Sequence, residues 1–149
     1  MGYTPAPEGW WQAFVTADPP RTAKVGIVLK DGSPLVVPVW VDLDRDADGN
    51  DEIVFSTGLD TAKGRALQRD DRVALCWDDE APPFSFLSIR ARARLVDDPS
   101  EVRAWAGRLG ARYMGAENAE LYAARNGVPG EVVVRVRPEK VVAMVDVSG

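Results

Sequence analysis

Val25, Ile27 and Leu29 alternate along "AKVGIVLK", and Leu35, Val37, Val39, Val41 and Leu43 alternate along "PLVVPVWVDL". A period of two marks half-buried strands. Asp31-Gly32 lies between the two runs and suits the type I′ turn of a hairpin. "RDADGND" is a polar turn into a third strand, "EIVFST". "RVALCW" and the long "FSFLSIRARARLV" supply two more, and "EVVVRVRPEKVVAMVDV" the last two, broken at Pro138. Helical spacing is rarer. Trp10 and Phe14 stand four apart in a helix expected over Glu8–Thr16, which Pro19 and Pro20 end. Asp98-Pro99-Ser100-Glu101 reads as a helix start, with Asp98 as N-cap and Glu101 completing a capping box. Val102, Trp105 and Leu109 mark one face of that helix, and "AENAELYAARNG" is a second helical stretch that stops at Gly127. Residues 1–7, with Pro5 and Pro7, are expected to pack loosely. The sum is six or seven strands with two or three helices. That makes a mainly β fold, a closed or partly closed antiparallel barrel with peripheral helices.

Composition narrows the chemistry. The 149 residues suit one domain, 1–149, and an apolar share of 46% is enough for a core without metal or disulfide staples. A net charge of −5 argues against a nucleic-acid or anionic-membrane partner. With no signal-like leader and no spanning apolar run, a soluble cytoplasmic protein is expected. The sequence has one cysteine and no histidine. Ser-His-Asp and Cys-His catalysis are therefore excluded, and no metal site is expected. Any redox chemistry must come from a bound cofactor.

Four features compete for a role. Asp44, Asp46, Asp48 and Gly49 open like a calcium loop, but Phe55 stands where a bidentate Glu is needed, so a solvated hairpin turn is the reading. Pro38 interrupts a strand that also carries Trp40, which fits an edge strand equally with a ladder opened for a planar ligand. Arg90, Arg92 and Arg94 share one strand face and suit solvent or a partner's carboxylates. The stretch "STGLDTAKGRALQRDDRVALCW" (56–77) matters most. Ser56 and Thr57 end a strand, Asp60 or Thr61 caps the next helix, and Lys63 lies in its first turn. Free amides, hydroxyls and a lysine describe a phosphate seat, while a helix that merely tolerates one lysine is the plainer account. Cys76 reads as an inert thiol, and nothing distinguishes Tyr113 or Tyr122 as a proton donor.

"GSPLVVPVWVDLD", "EIVFSTGLDTAKGRALQRDDRVALCWDDEAPPFSFLSIRARARL" and "RYMG…YAARNGVPGEVVVRVRPEKVVA" together resemble the pyridoxamine-phosphate-oxidase-like split β-barrel flavoproteins. Within them the chain is most similar to the F420-dependent reductases of the FDOR-B group. The likeness spans about residues 9–147. It implies a homodimer with two cofactor sites at the interface and hydride transfer from F420H2 to an activated C=C bond. FMN is the alternative cofactor, and a non-catalytic F420 carrier the alternative role. It implies a deazaflavin ring against Pro38, Val39 and Trp40, and a phosphate held by Ser56, Thr57, Thr61, Ala62 and Lys63. Phe84 and Phe86 match positions that line the site from the other subunit, and Trp77 ends the strand that leads toward them. Ala66 stands where many relatives carry Asn, and Thr61 where some carry Arg.

Overall fold

Nine strands and four α-helices are formed within residues 4–149, the part of the chain that this computed structural model describes. In chain order they are β1 (Thr4–Pro5), α1 (Trp10–Thr16), β2 (Ala23–Val28), β3 (Pro34–Val39), β4 (Asp42–Arg45), β5 (Asp51–Gly58), α2 (Ala62–Arg69), β6 (Arg72–Asp78), β7 (Phe86–Val96), α3 (Pro99–Met114), α4 (Ala119–Asn126), β8 (Glu131–Val136) and β9 (Lys140–Val145). A 3-10 turn, Ala116–Asn118, joins α3 to α4. The mainly antiparallel barrel with peripheral helices is the architecture expected from the alternation.

The hydrogen-bonded path runs β3-β2-β6-β7-β8-β5-β4. Its two end strands are consecutive in the chain, parted only by Trp40 and Val41. The ladder is therefore not closed by hydrogen bonds; the covalent chain closes it. This is the split of a split barrel, and it corrects the reading of "PLVVPVWVDL" as one strand. β7 spans the two halves: Phe86–Arg90 pair with β9, and Ala93–Val96 pair with β8. Thr4 and Pro5 pair with Val145 and Met144, so the expected loose packing fails there. Residues 1–3 of that expectation lie outside the described residues.

Alternating positions fill the barrel. Val25, Ile27, Leu75, Trp77, Leu87 and Ile89 are almost wholly buried in one core cluster. β5 is apolar on both faces for a reason: Ile53 and Phe55 point into that cluster, while Val54 joins Val102, Trp105, Leu109 and Val133 beneath α3. Trp10 stacks on Phe14 at 4.5 Å, as their four-residue spacing requires.

Two local expectations are corrected. Only Gly32 has a positive φ in the β2–β3 turn; Asp31 does not. Gly32 N–H donates to Leu29 O and Leu29 N–H to Ser33 O, which makes a type I turn with a glycine bulge. Asp98 does cap α3, accepting from Ser100 N–H at 2.9 Å. Glu101 does not reach back to complete a box. It turns to Arg135 on β8, at 2.5 Å and 2.8 Å. Arg135 also donates to Asp44 at 2.9 Å and to Glu52 at 3.3 Å, so one guanidinium ties β4, β5, β8 and α3 together. The acidic loop is a hairpin turn: Asp46 accepts from the N–H groups of Asp48 and Asn50, and Arg137 pairs with it.

Four carboxyls titrate below their ordinary value. The Ser33 side chain lowers Asp31. Backbone donation from Asn50 lowers Asp46, and the Arg72 side chain lowers Asp70 to about 2. Burial pushes Asp44 up, but the Arg135 hydrogen bond and charge outweigh it. Folded-state depression means stability present above the unfolded carboxyl range, about pH 4, and lost as the pH falls through the folded values. Circular dichroism against pH is expected to hold level above about pH 5 and to fall between about pH 4 and 2. A loss that begins near pH 6 would point to other groups.

Candidate functional site

A cleft of about 630 Å³ opens between the edge of β3, the end of β5, the start of α2 and the α3–α4 hairpin. β3 pairs with β2 alone, so its other edge is left to the cleft. Leu35, Val37, Pro38, Val39 and Trp40 form this apolar wall. Pro38 is thus both at a sheet edge and at a ligand-sized opening, and the two sequence readings coincide.

Trp40 is fixed from behind. Its ring stacks on Tyr113 at 5.3 Å and meets Tyr122 edge-on at 5.6 Å. The Tyr113 hydroxyl donates to Arg21 O at 2.6 Å and accepts from Val41 N–H at 3.1 Å, at the break between β3 and β4. A buried strand break leaves backbone groups that need partners; Tyr113 supplies one. Neither tyrosine lines the cleft, and both serve the wall.

The polar end follows from the β5–α2 junction. Thr61 caps α2: its hydroxyl accepts from Gly64 N–H at 3.0 Å and donates to Gly58 O at 2.7 Å. Thr57 Oγ1 lies 3.3 Å from Thr61 Oγ1. The N–H groups of Ala62 and Lys63 have no acceptor among the described residues, as the first turn of a helix dictates. The first turn lies unusually near the strand. A Cβ on Gly64 would stand 1.9 Å from Gly58 O, so only glycine lets the helix start sit there.

Lys63 is half-buried and makes no hydrogen bond or ion pair among the described residues. Burial pulls its ammonium below its ordinary value, with Glu131 opposing. Burial pushes Glu131 up, Lys63 opposes, and Asp60 adds to the rise. The Ser56 hydroxyl is buried with no partner among the described residues. Lys63, Ser56, Thr57, Thr61 and Ala62 all line the cleft together with the apolar edge of β3. An apolar slot ending in free amides, an unpaired hydroxyl and an unpaired lysine fits a planar ring that bears a phosphate.

The chain matches the family model described as pyridoxamine 5'-phosphate oxidase over residues 11–144. It belongs to the pyridoxamine 5'-phosphate oxidase family. No curated protein gives a significant match. Among solved structures, a conserved hypothetical protein from Mycobacterium tuberculosis is similar with a TM-score of 0.79 and 21% identity, over 98% of this chain and 89% of that one. An F420 reductase is similar with a TM-score of 0.66 and 23% identity, over 91% and 98%. HutZ, a heme storage protein from Vibrio cholerae, has a TM-score of 0.65 at 16% identity, over 97% and 99%. At these identities the likeness is one of fold.

Eight residues expected from the sequence meet at this cleft of the oxidase-family barrel: Pro38, Val39, Trp40, Ser56, Thr57, Thr61, Ala62 and Lys63. Trp77, Phe84 and Phe86 do not line it. Trp77 is wholly buried in the core, Phe84 lies exposed on the β6–β7 loop with φ +60°, and Phe86 begins β7. Ala66 is also wholly buried, on the inward face of α2, and does not line the cleft. Cys76, whose thiol burial pushes up, is remote from it. Eight lining residues were not foreseen, among them Thr22, Ala106, Leu109, Asn126 and Glu131. Leu109 was visible only as a helix-face residue. Glu131 carries no local signal, because its place depends on the β5–β8 register that sets it opposite Gly58. The three strand arginines divide: Arg92 pairs with Asp71 and Arg94 with Glu52, so these two hold the fold.

Proposed function

We propose that the chain is an F420H2-dependent reductase that transfers a hydride to an activated C=C bond of an enone- or lactone-type substrate. The supporting observation is the pairing, in one cleft, of the Pro38–Trp40 edge with the Ser56–Lys63 seat. Bound there, the reduced deazaflavin supplies the hydride. The chain's own residues bind and orient. Pro38, Val39 and Trp40 carry the ring, and the tyrosines behind Trp40 keep that wall in place. Lys63, the Ala62 and Lys63 amides and the Ser56 hydroxyl hold the phosphate. The Thr61 hydroxyl is spent on the cap, so it shapes the seat. With neither Tyr113 nor Tyr122 lining the cleft, the proton that follows the hydride comes from water. A homodimer would bring the exposed Phe84, with Phe86, to the partner's cleft, and sedimentation should then give twice the chain mass.

Titration with F420 and with FMN, followed by fluorescence, tests the cofactor. F420 is expected to bind and F420H2 to be oxidised by an enone panel. Preference for FMN would assign the site to a flavin, and F420 binding without turnover to a carrier. Lys63→Ala removes a charge-assisted contact of about 1.5–3 kcal/mol, so F420 affinity should fall by roughly ten- to a hundredfold. An unchanged dissociation constant at moderate salt would remove the phosphate from this end of the cleft.

A further inference from the structure

Glu131 is an unexpected residue to find at an anion seat. It begins β8 directly opposite Gly58, the residue on which the first turn of α2 rests. Gly58 has no side chain, and the space beside it is where carboxylates meet. A Cβ there would lie 3.4 Å from both Asp60 Oδ1 and Glu131 Oε1, so those oxygens are at most twice that distance apart. Glu131 and Lys63 share the cleft without an ion pair between them. Among the described residues that line the cleft, Lys63 is the one cation and Glu131 the one acid. Asp60 stands at the rim. Arg65, one turn beyond Thr61 on α2, turns its guanidinium to Asp60 O. The seat therefore offers one full positive charge and a helix terminus, about half a charge, against one or two carboxylates.

We propose that Glu131 makes this seat selective for a singly charged phosphodiester over a doubly charged phosphate monoester. This rests on the phosphate seat proposed above and names the charge state it accepts. A diester carries one negative charge, and Lys63 with the α2 amides matches it. A monoester carries about −1.5 to −2 near neutral pH. Among the described lining residues of this chain its second charge finds no second cation, and it faces Glu131 in a partly desolvated cleft, where like charges cost most. Glu131 thus acts by repulsion against the wrong head group, as specificity often requires. F420, whose phosphate is a diester, falls in the accepted class; FMN, a monoester, does not.

The test uses one chromophore with two head groups. FMN and its monomethyl phosphate ester share ring and chain and differ in charge. At pH 8 the native protein is expected to bind the methyl ester about tenfold more tightly than FMN, read by flavin fluorescence. Glu131→Gln should tighten FMN about tenfold and the ester about threefold, since the gain scales with ligand charge. In the native protein FMN should also gain affinity as the pH falls toward 6, where the monoester takes up its second proton at a pKa of about 6. Equal affinity for the two ligands at pH 8, or an equal gain for both in the variant, overturns the proposal even if F420 binds. If neither flavin nor F420 binds the native protein, the phosphate seat itself is wrong and the selectivity falls with it. The native pH series decides the matter should the variant fold poorly.

Discussion

Arg135→Met is expected to lower the melting temperature by roughly 10 °C, from a loss of about 3 kcal/mol. The guanidinium is 12% exposed and holds Asp44, Glu52 and Glu101, on three different elements. Removing it strands Glu52, whose side chain is 6% exposed. An unpaired buried charge is the costly outcome, more than the loss of the pair itself. Arg94 stays within 3.4 Å of Glu52 and softens the loss, which places the figure at the low end of the usual range. The double variant Arg135→Met with Glu52→Gln should regain part of the stability, because it discharges the stranded group. Calorimetry on the native protein and the two variants measures this. A drop of less than about 1 kcal/mol in the single variant would mean that water already solvates the network.

Gly64→Ala should act against the usual helix rule. Alanine in place of glycine inside a helix ordinarily stabilises by about 1 kcal/mol. Here the new methyl would overlap the backbone oxygen of Gly58 at 1.9 Å, and neither partner is the free end of a side chain. The first turn of α2 must lift off the strand. Overpacking of this kind costs about 1–3 kcal/mol; an overlap with backbone this deep falls at the upper end, and against the usual gain of about 1 kcal/mol the net change should be a loss of up to about 2 kcal/mol. Binding at the seat should weaken too, since the Ala62 and Lys63 amides move with the turn. Gly26→Ala is the control: its methyl would meet Ala74 at 3.8 Å, an ordinary contact, and should cost little. Urea unfolding of both variants gives the comparison. Stabilisation by Gly64→Ala would show that the helix start is not seated on Gly58.

The barrel was legible because alternation and burial coincide on nearly every strand. Val25, Ile27, Leu75, Leu87 and Ile89 sit inside, as their period of two demands. The seat was legible because Ser56 through Lys63 are contiguous, and a strand-to-helix junction has known free amides. What stayed hidden depends on distant pairing. The split at Trp40–Val41 looks like ordinary alternation in the sequence; it is resolved only by Tyr113, 72 residues away, bonding to Val41. Glu101 satisfied a local capping pattern and was taken instead by Arg135, 34 residues further on. Glu131 reaches the seat through a register that no short window contains.

The cleft lies at the seam between β3 and β4, which no strand-to-strand hydrogen bond closes among the described residues, and it is propped there by the α3–α4 hairpin through Tyr113, Tyr122, Leu109 and Asn126. This separates two kinds of sequence change. Substitutions within the ladders alter folding, whereas substitutions at the hairpin's cleft-lining positions outside the two core clusters, Ala106 and Asn126, reshape the ligand wall and remove no ladder residue. The barrel can thus be inherited as a fixed chassis while the hairpin diverges, so that new ligands are reached by small steps that never pass through an unfolded intermediate.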